Sequence, residues 1–114
     1  MSKTNTIYLA GKITGDDDYK GKFLHAELKL TELGYIVMNP AILPPDGFEY
    51  DEYMRITEAM MRECYAVCLL PDWKKSNGAI QEYHVAFGLG KMIYNYEDLL
   101  FSGKRRERKV ATWN

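Results

Sequence analysis

The sequence predicts an α/β fold: a three-layer α/β/α sandwich of Rossmann or flavodoxin type, with a mainly parallel sheet of four or five strands. Two observations lead to this prediction. Short apolar runs, typical of buried strands, alternate with longer segments in which apolar residues recur at helical spacing. The segments that connect successive strands are also long enough for right-handed crossovers between parallel strands. The predicted order is therefore β-α-β-α-β-α-β.

Four runs are predicted as strands and three segments as helices. The strands are TIYLAG at 6–11, YIVMNP at 35–40, AVCLLP at 66–71 and KMIYNY at 91–96. The helices are predicted over 21–33, 51–64 and about 78–90. Gly34 is expected to end the first helix as a C′ glycine. Between the second strand and the second helix, AILPPDGFEY contains two prolines and a glycine, which exclude regular structure there.

Composition and charge limit the classes of partner. The net charge of −1 creates no field that would attract nucleic acid or an anionic membrane, so we expect neither partner. No run approaches about 18 apolar residues, and the first residues lack the pattern of a secretory signal. We therefore expect a cytoplasmic protein. Cys64 and Cys68 are expected to be reduced core residues, because their spacing across a helix-to-strand junction does not bring two thiols together.

The chain divides into a domain at residues 1–97 and a C-terminal basic extension at 98–114. From Ser102 the sequence reads SGKRRERKVATWN. Such a run is more typical of a solvated or frayed terminus than of an arm that binds phosphate.

Ligands of such sheets bind beyond the carboxyl ends of the strands, which here means the loops at 11–21, 39–50 and 72–78. The first loop begins in AGKITG, which has glycines at both ends. Its backbone N–H groups are suited to bind an anion or a sugar. A tight turn between strand and helix explains the same sequence without any ligand. It lacks the dinucleotide and Walker glycine patterns, which disfavours an oxidoreductase. The acidic run at 16–18 is better explained by helix-start electrostatics than by a metal.

The stretch LLPDWKKSNGAIQEYHVA at 69–86 carries the strongest signal for chemistry. Helical spacing places Glu82 on the apolar side of the third helix, in what we predict to be its first turn. With Asn77 or Gly78 as N-cap, position N3 is not Glu82, so a capping box does not explain it. We expect the helix N-terminus to keep this carboxylate ionised, as a nucleophile toward a sugar carbon requires.

Other side chains of these loops are predicted to surround Glu82. Asp72 comes directly after the third strand, and Ser76 and Gly78 shape the approach to the helix. Three aromatic residues, Tyr8, Trp73 and Tyr83, are close to the predicted site. Each is compatible with stacking on a base and with ordinary packing.

The stretches IYLAG at 7–11 and LLPDWKKSNGAIQE at 69–82 resemble the nucleoside 2-deoxyribosyltransferase family, including its relatives that hydrolyse deoxynucleoside 5′-monophosphates. The resemblance runs from about Ile7 to Tyr94 and is closest to small single-domain members of unknown function. It implies a doubly wound α/β protein that binds a nucleoside or nucleotide and needs no metal or organic cofactor. It also implies a homo-oligomer, a dimer or higher, in which a neighbouring subunit completes the site.

The resemblance also implies residue roles. Glu82 matches the glutamate that attacks the anomeric carbon and forms a glycosyl-enzyme intermediate, and Tyr8 matches the family tyrosine after the first strand. The turn at 11–15, with Gly11, Lys12 and Ile13, matches the loop that lines the sugar or its 5′-phosphate. Ser76 matches a serine of the monophosphate hydrolases, which favours a phosphorylated or hydrolytic reaction. The predicted site comprises Glu82 and Asp72 as catalytic residues and, as binding residues, Tyr8, Gly11, Lys12, Ile13, Trp73, Ser76, Asn77 and Gly78.

Two positions depart from the family pattern. Thr57 stands where a helix aspartate assists the leaving base, and Tyr65 replaces an aspartate at the start of the third strand. Asp72 is on the right loop to substitute for the missing acid. Two hypotheses follow: an enzyme that cleaves or transfers an N-glycosidic bond, or a binding protein on the same fold that senses or sequesters nucleotides without turnover.

Overall fold

A computed structural model describes residues 4–102 of the protein. Within that range the chain forms an alternating α/β fold, as predicted. Its elements in chain order are β1 (Thr6–Ala10), α1 (Tyr19–Glu32), β2 (Ile36–Met38), α2 (Tyr50–Arg62), β3 (Ala66–Leu69), α3 (Asn77–Gly88), β4 (Met92–Asn95) and α4 (Tyr96–Phe101).

The four strands form one sheet in the order β2-β1-β3-β4, and every neighbouring pair is parallel. Tyr8 on β1 is opposite Met38 on one side and Val67 on the other. The chain first winds outward from β1 to β2 and then crosses back to β3, so the direction of winding reverses between β1 and β3. In flavodoxin-like sheets this reversal opens a crevice at the carboxyl ends of the strands, where ligands bind.

Side chains of β1 alternate between two cores, one on each face of the sheet. Ile7 and Leu9 pack in the core that includes residues of α1 and α4, whereas Tyr8 and Ala10 pack in the core that includes residues of α2 and α3. The prediction of three layers is thus confirmed. The alternation also has a consequence for function, because it directs Tyr8 to the face that carries α3 and Glu82.

Three local features differ from the predictions. Pro40–Ile42, in the segment expected to be irregular, forms a short 3₁₀ helix that Asn39 caps through a 2.8 Å bond from the Ala41 N–H. Proline is compatible with this position because the first N–H groups of a helix have no helical acceptor. A second 3₁₀ turn spans Trp73–Lys75. The last difference is α4, which was not predicted and which crosses the expected boundary at 97/98.

The short helix α4 is attached to the core by Leu99, which is buried on the α1 side of the sheet. The basic residues of the tail lie outside the described residues. Cys64 and Cys68 are both buried thiols, as predicted, and burial raises the pKa of Cys68. Among residues 4–102, no helix has the length and apolar character needed to cross a lipid bilayer.

Candidate active site

A cavity of about 490 Å³ opens at the carboxyl edge of the sheet, between the ends of β1 and β3 and the start of α3. This volume is in the range of small-molecule sites. All three loops predicted from the sequence contribute to its lining, together with α2. The lining residues are Tyr8, Leu9, Gly11, Ile13, Thr14, Tyr19, Pro40, Leu43, Pro44, Pro45, Tyr50, Tyr53, Met54, Thr57, Lys75, Ser76, Asn77, Gly78, Ala79 and Glu82.

Glu82 is buried in this cavity, with 6% of its surface exposed. The hydroxyl of Tyr8, itself 1% exposed, donates a hydrogen bond of 2.8 Å to Glu82 Oε2. The two residues are 74 positions apart in the chain. The fold therefore joins two of the predicted site residues in a direct contact on one face of the sheet.

Burial raises the pKa of Glu82 to about 7. This value is the net result of several effects: the hydrogen bonds from the hydroxyls of Tyr8 and Thr57 lower the pKa of Glu82, and the negative charge of Glu58 adds to the rise caused by burial. The pKa of Tyr8 is also raised well above its usual value, first by burial and then by the charge of Glu82. Near neutral pH the Tyr8 hydroxyl is therefore protonated and donates a hydrogen bond, while the carboxyl group of Glu82 titrates in the same pH range.

The expectation that the helix N-terminus keeps Glu82 ionised is wrong. Ser76 is the N-cap of α3, and its hydroxyl accepts from the Ala79 N–H at 3.1 Å. Glu82 is therefore the sixth residue of the helix and lies beyond the first turn, where the effect of the macrodipole has declined. A capping box still does not involve Glu82, because position N3 is Ala79.

Thr57 and Tyr65, the two positions that differ from the pattern of the resembling family, lie at different ends of the sheet. Thr57 is buried in the cavity wall, where its hydroxyl donates to the Met54 carbonyl oxygen at 3.3 Å. Tyr65 precedes β3, and its N–H donates to Thr6 Oγ1 at the edge opposite the cavity. Of these two residues only Thr57 lines the cavity, and Glu82 is the one carboxylate among the cavity-lining residues of the described chain.

The β1–α1 loop passes close to the β3–α3 loop, and this approach requires glycine. A Cβ on Gly11 would lie 2.9 Å from Leu70 Cδ1 and 3.2 Å from Asp72 Oδ1. Gly15 has φ of +83°, in the region that favours glycine. The turn presents Gly11, Ile13 and Thr14 to the cavity, whereas Lys12 is not among the lining residues.

Asp72 does not line the cavity, in contrast to its predicted place beside Glu82. Its Oδ1 accepts from the Lys12 N–H at 3.1 Å, and its Oδ2 forms an ion pair with Lys22. Lys22 also forms an ion pair of 2.6 Å with Asp16. The hydrogen bond from Lys22, followed by that from the Asp18 N–H, lowers the pKa of Asp16. Burial acts to lower the pKa of Lys22, but its hydrogen bonds to Asp16 and Asp72 raise it above the usual value.

Trp73 is also placed outside the cavity. Its ring lies 4.9 Å from that of Tyr83 in a tilted arrangement, and the Lys74 ammonium is 5.8 Å from its centroid. Of the predicted site residues, the fold brings together in the cavity Tyr8, Gly11, Ile13, Ser76, Asn77, Gly78 and Glu82. It leaves out Lys12, Asp72 and Trp73.

Aromatic and proline residues that also line the cavity were not predicted from the sequence. They come from the 39–50 loop and the first turns of α2, and include Tyr50, Tyr53 and Pro44. The Tyr53 hydroxyl donates to the Pro44 carbonyl oxygen at 2.7 Å, which attaches the loop to the helix. The position of this loop at the carboxyl edge was predicted, but nothing in its sequence distinguished wall residues from surface residues.

Within the described residues, no three His, Cys, Asp or Glu side chains are gathered closely enough to hold a metal ion. A comparison with curated proteins finds no match to this chain. A family model described as "Domain of unknown function (DUF4406)" matches residues 5–95, a segment that contains β1 to β4 and every residue of the Glu82 cavity. The chain therefore belongs to the DUF4406 family.

Proposed function

We propose that this protein cleaves or transfers the N-glycosidic bond of a nucleoside or nucleoside 5′-monophosphate, with Glu82 as the nucleophile. The observation that carries the proposal is the buried Tyr8–Glu82 pair at the end of a ligand-sized cavity. The resemblance of IYLAG and LLPDWKKSNGAIQE to the nucleoside 2-deoxyribosyltransferases supports the same reaction. The homo-oligomeric assembly and cytoplasmic location that we expect belong to this proposal as well.

In the proposed reaction, ionised Glu82 attacks the anomeric carbon through Oε1, since Oε2 accepts from Tyr8. The carbon–nitrogen bond breaks, its electron pair leaves with the base, and the base takes up a proton. The resulting glycosyl ester is then attacked by water, which loses a proton as the ester bond to Glu82 breaks and the free sugar forms. Attack by a second base in place of water gives transfer.

The cavity wall offers two kinds of contact to a nucleoside monophosphate. Tyr19, Tyr50 and Tyr53 supply aromatic surface on which a base can stack. The start of α3 at Asn77 also lines the cavity, where N-terminal N–H groups of a helix are suited to bind an anion and Lys75 adds a positive charge. This second feature supports a phosphorylated substrate.

The alternative function is that of a protein that binds or sequesters nucleotides without turnover. The observation in its favour is the neutral Thr57 beside Glu82, because the described residues of the cavity wall include no second carboxylate that could protonate the leaving base. A positioned acid typically contributes about 10²–10⁴-fold to the rate. Under this alternative the protein saturates with nucleotide and returns it intact.

A panel of nucleosides, 2′-deoxynucleosides and their 5′-monophosphates separates the two functions. We expect chromatography to detect free base with the wild type, and Glu82→Gln and Glu82→Ala to stop its release. Glu32→Gln, which alters an exposed carboxylate at the end of α1, is the matched control and should retain activity. Saturable binding without any base released would support the alternative. Base release by Glu82→Ala at the wild-type rate would exclude Glu82 as the nucleophile.

A further inference from the structure

The loop between β1 and α1 is attached to the rest of the fold by Lys22, a residue of α1 that does not line the Glu82 cavity. Its ammonium donates to the Lys12 carbonyl oxygen at 2.8 Å and to Asp16 Oδ2 at 2.6 Å, and forms an ion pair with Asp72. An ammonium has three donors, so these contacts use all of them. Lys22 therefore links the β1–α1 loop to the β3–α3 loop.

Two further bonds hold the same loop. The Lys12 N–H donates to Asp72 Oδ1 at 3.1 Å, and the Asp16 N–H donates to the Ile13 carbonyl oxygen at 3.2 Å. Between Lys12 and Asp16 lie Ile13 and Thr14, which line the cavity. The loop is thus held on both sides of Ile13 and Thr14, the two residues that line the cavity.

Partial burial strengthens this network. The side chains of Lys22, Asp16 and Asp72 are each 25% exposed, so solvent screens their attraction less than it screens a fully exposed pair. The loop needs such a link because the backbone here is a glycine-bounded turn without a regular hydrogen-bond ladder. Without the ammonium, the carboxylates of Asp16 and Asp72 would face each other uncompensated.

We propose that Lys22 is a positioning residue, which holds Ile13 and Thr14 at the cavity wall, and that Asp72 acts together with Lys22 to fix this loop. The inference rests on the proposed function only for the identity of the ligand. The connection between Lys22 and the order of the loop can be measured on the protein without any ligand.

Hydrogen exchange of the free protein is the first test, on Lys22→Met, Lys22→Arg and Lys20→Met. Lys20 is an exposed lysine two positions away on the same helix, so its replacement controls for the lost charge. We expect the amides of residues 12–16 to exchange about tenfold faster in Lys22→Met, in keeping with the loss of charge-assisted hydrogen bonds. Lys22→Arg should restore most of the protection, and Lys20→Met should not differ from the wild type. Unchanged exchange in Lys22→Met would overturn the inference.

Kinetics with 2′-deoxyadenosine 5′-monophosphate provide the second test. We expect Lys22→Met to lower kcat/KM about 10- to 100-fold, chiefly through KM, without moving the midpoint of the pH profile. Asp72→Asn should give a similar loss, and the double variant should be no worse than either single one, because both break the same link. If the loss of kcat/KM in the double variant equals the product of the two single losses, Asp72 acts separately, for example as an acid, and the shared role with Lys22 is contradicted.

The two proposals can fail separately. If no member of the substrate panel is cleaved but the 12–16 amides exchange faster in Lys22→Met, the proposed reaction fails and the role of Lys22 in ordering the loop stands. If base is released at the wild-type rate by a Lys22→Met variant that also has unchanged exchange, the role of Lys22 fails and the reaction stands. Near-UV circular dichroism of each variant confirms that the core is retained.

Discussion

Glu82 and Asp72 are two carboxylates at the same edge of one sheet, yet their surroundings are opposite. Asp72 is one-quarter exposed and paired with Lys22, whereas Glu82 is buried and accepts a hydrogen bond from a tyrosine hydroxyl. Burial removes solvent from the charged form of a carboxylate, which raises the pKa of Glu82. The Asp72–Lys22 pair thus joins two loops, whereas the buried carboxyl group of Glu82 titrates near neutral pH.

Among variants of the two carboxylates and their neighbours, we expect the largest effect on stability from Glu82→Gln. The pKa of Glu82 is raised from 4.5 to about 7, so between these values the folded state binds more protons than the unfolded state. The wild type therefore loses stability as the pH rises from 4.5 to 7, and the loss is complete above 7. Glutamine removes this titration, and its carbonyl oxygen can still accept from Tyr8.

We expect Glu82→Gln to be more stable than the wild type by about 3 kcal/mol at pH 8 and nearly equal to it at pH 4.5. Urea unfolding at the two pH values measures the difference, and Glu32→Gln serves as the control. A difference of the same size at both pH values would mean that the folded and unfolded states have similar pKa values at Glu82.

The next effect concerns the hydroxyl of Tyr8, which lowers the pKa of Glu82 by donating to it. Tyr8→Phe leaves the ring and removes the donor. A hydrogen bond to a charged group is worth about 1.5–3 kcal/mol, so we expect the pKa of Glu82 to rise by roughly one to two units. The ascending limb of the plot of kcat/KM against pH should shift to higher pH by the same amount, because the nucleophile is the ionised form of Glu82. A limb that does not shift would mean that it reports the titration of another group.

A smaller effect is expected when the Asp72 pair is broken. Asp72→Asn keeps an acceptor for the Lys12 N–H and removes the charge that faces Lys22. Because the pair is partly exposed, we expect a loss of about 1 kcal/mol in the free energy of unfolding at pH 7 and low salt. The loss should shrink in 1 M salt as the charges are screened. A loss of several kcal/mol that salt does not change would indicate packing in place of electrostatics.

The smallest effect is expected at Thr57, whose hydroxyl also lowers the pKa of Glu82, though less than that of Tyr8 does. Thr57→Val keeps the shape of the side chain and should raise this pKa by less than about one unit. Thr57→Ser retains the hydroxyl and is the matched control. Carbon-13 NMR of the glutamate carboxyl groups follows the titration without any substrate. A lowered pKa in Thr57→Val would contradict the assignment.

Much of the fold was predictable because its signals are local. The apolar run of β1, the helical spacing of Phe23, Ala26 and Leu30, and the lengths of the crossovers specify strands, helices and parallel pairing without any tertiary contact. The helix α4 escaped prediction because its six residues are too few for a periodic pattern and it begins directly after β4. The position of Glu82 on the apolar side of α3 was also a local property.

The sequence by itself determined the order of the elements, the edge where ligands are expected and the presence of a carboxylate there. Only the tertiary structure decided which carboxylate is buried and which is paired. Tyr8 and Glu82 are 74 residues apart, and Lys22 and Asp72 are 50 apart, so neither contact follows from helical or strand spacing. The pKa of Glu82 depends on the burial that all these elements create together, and no local pattern records it.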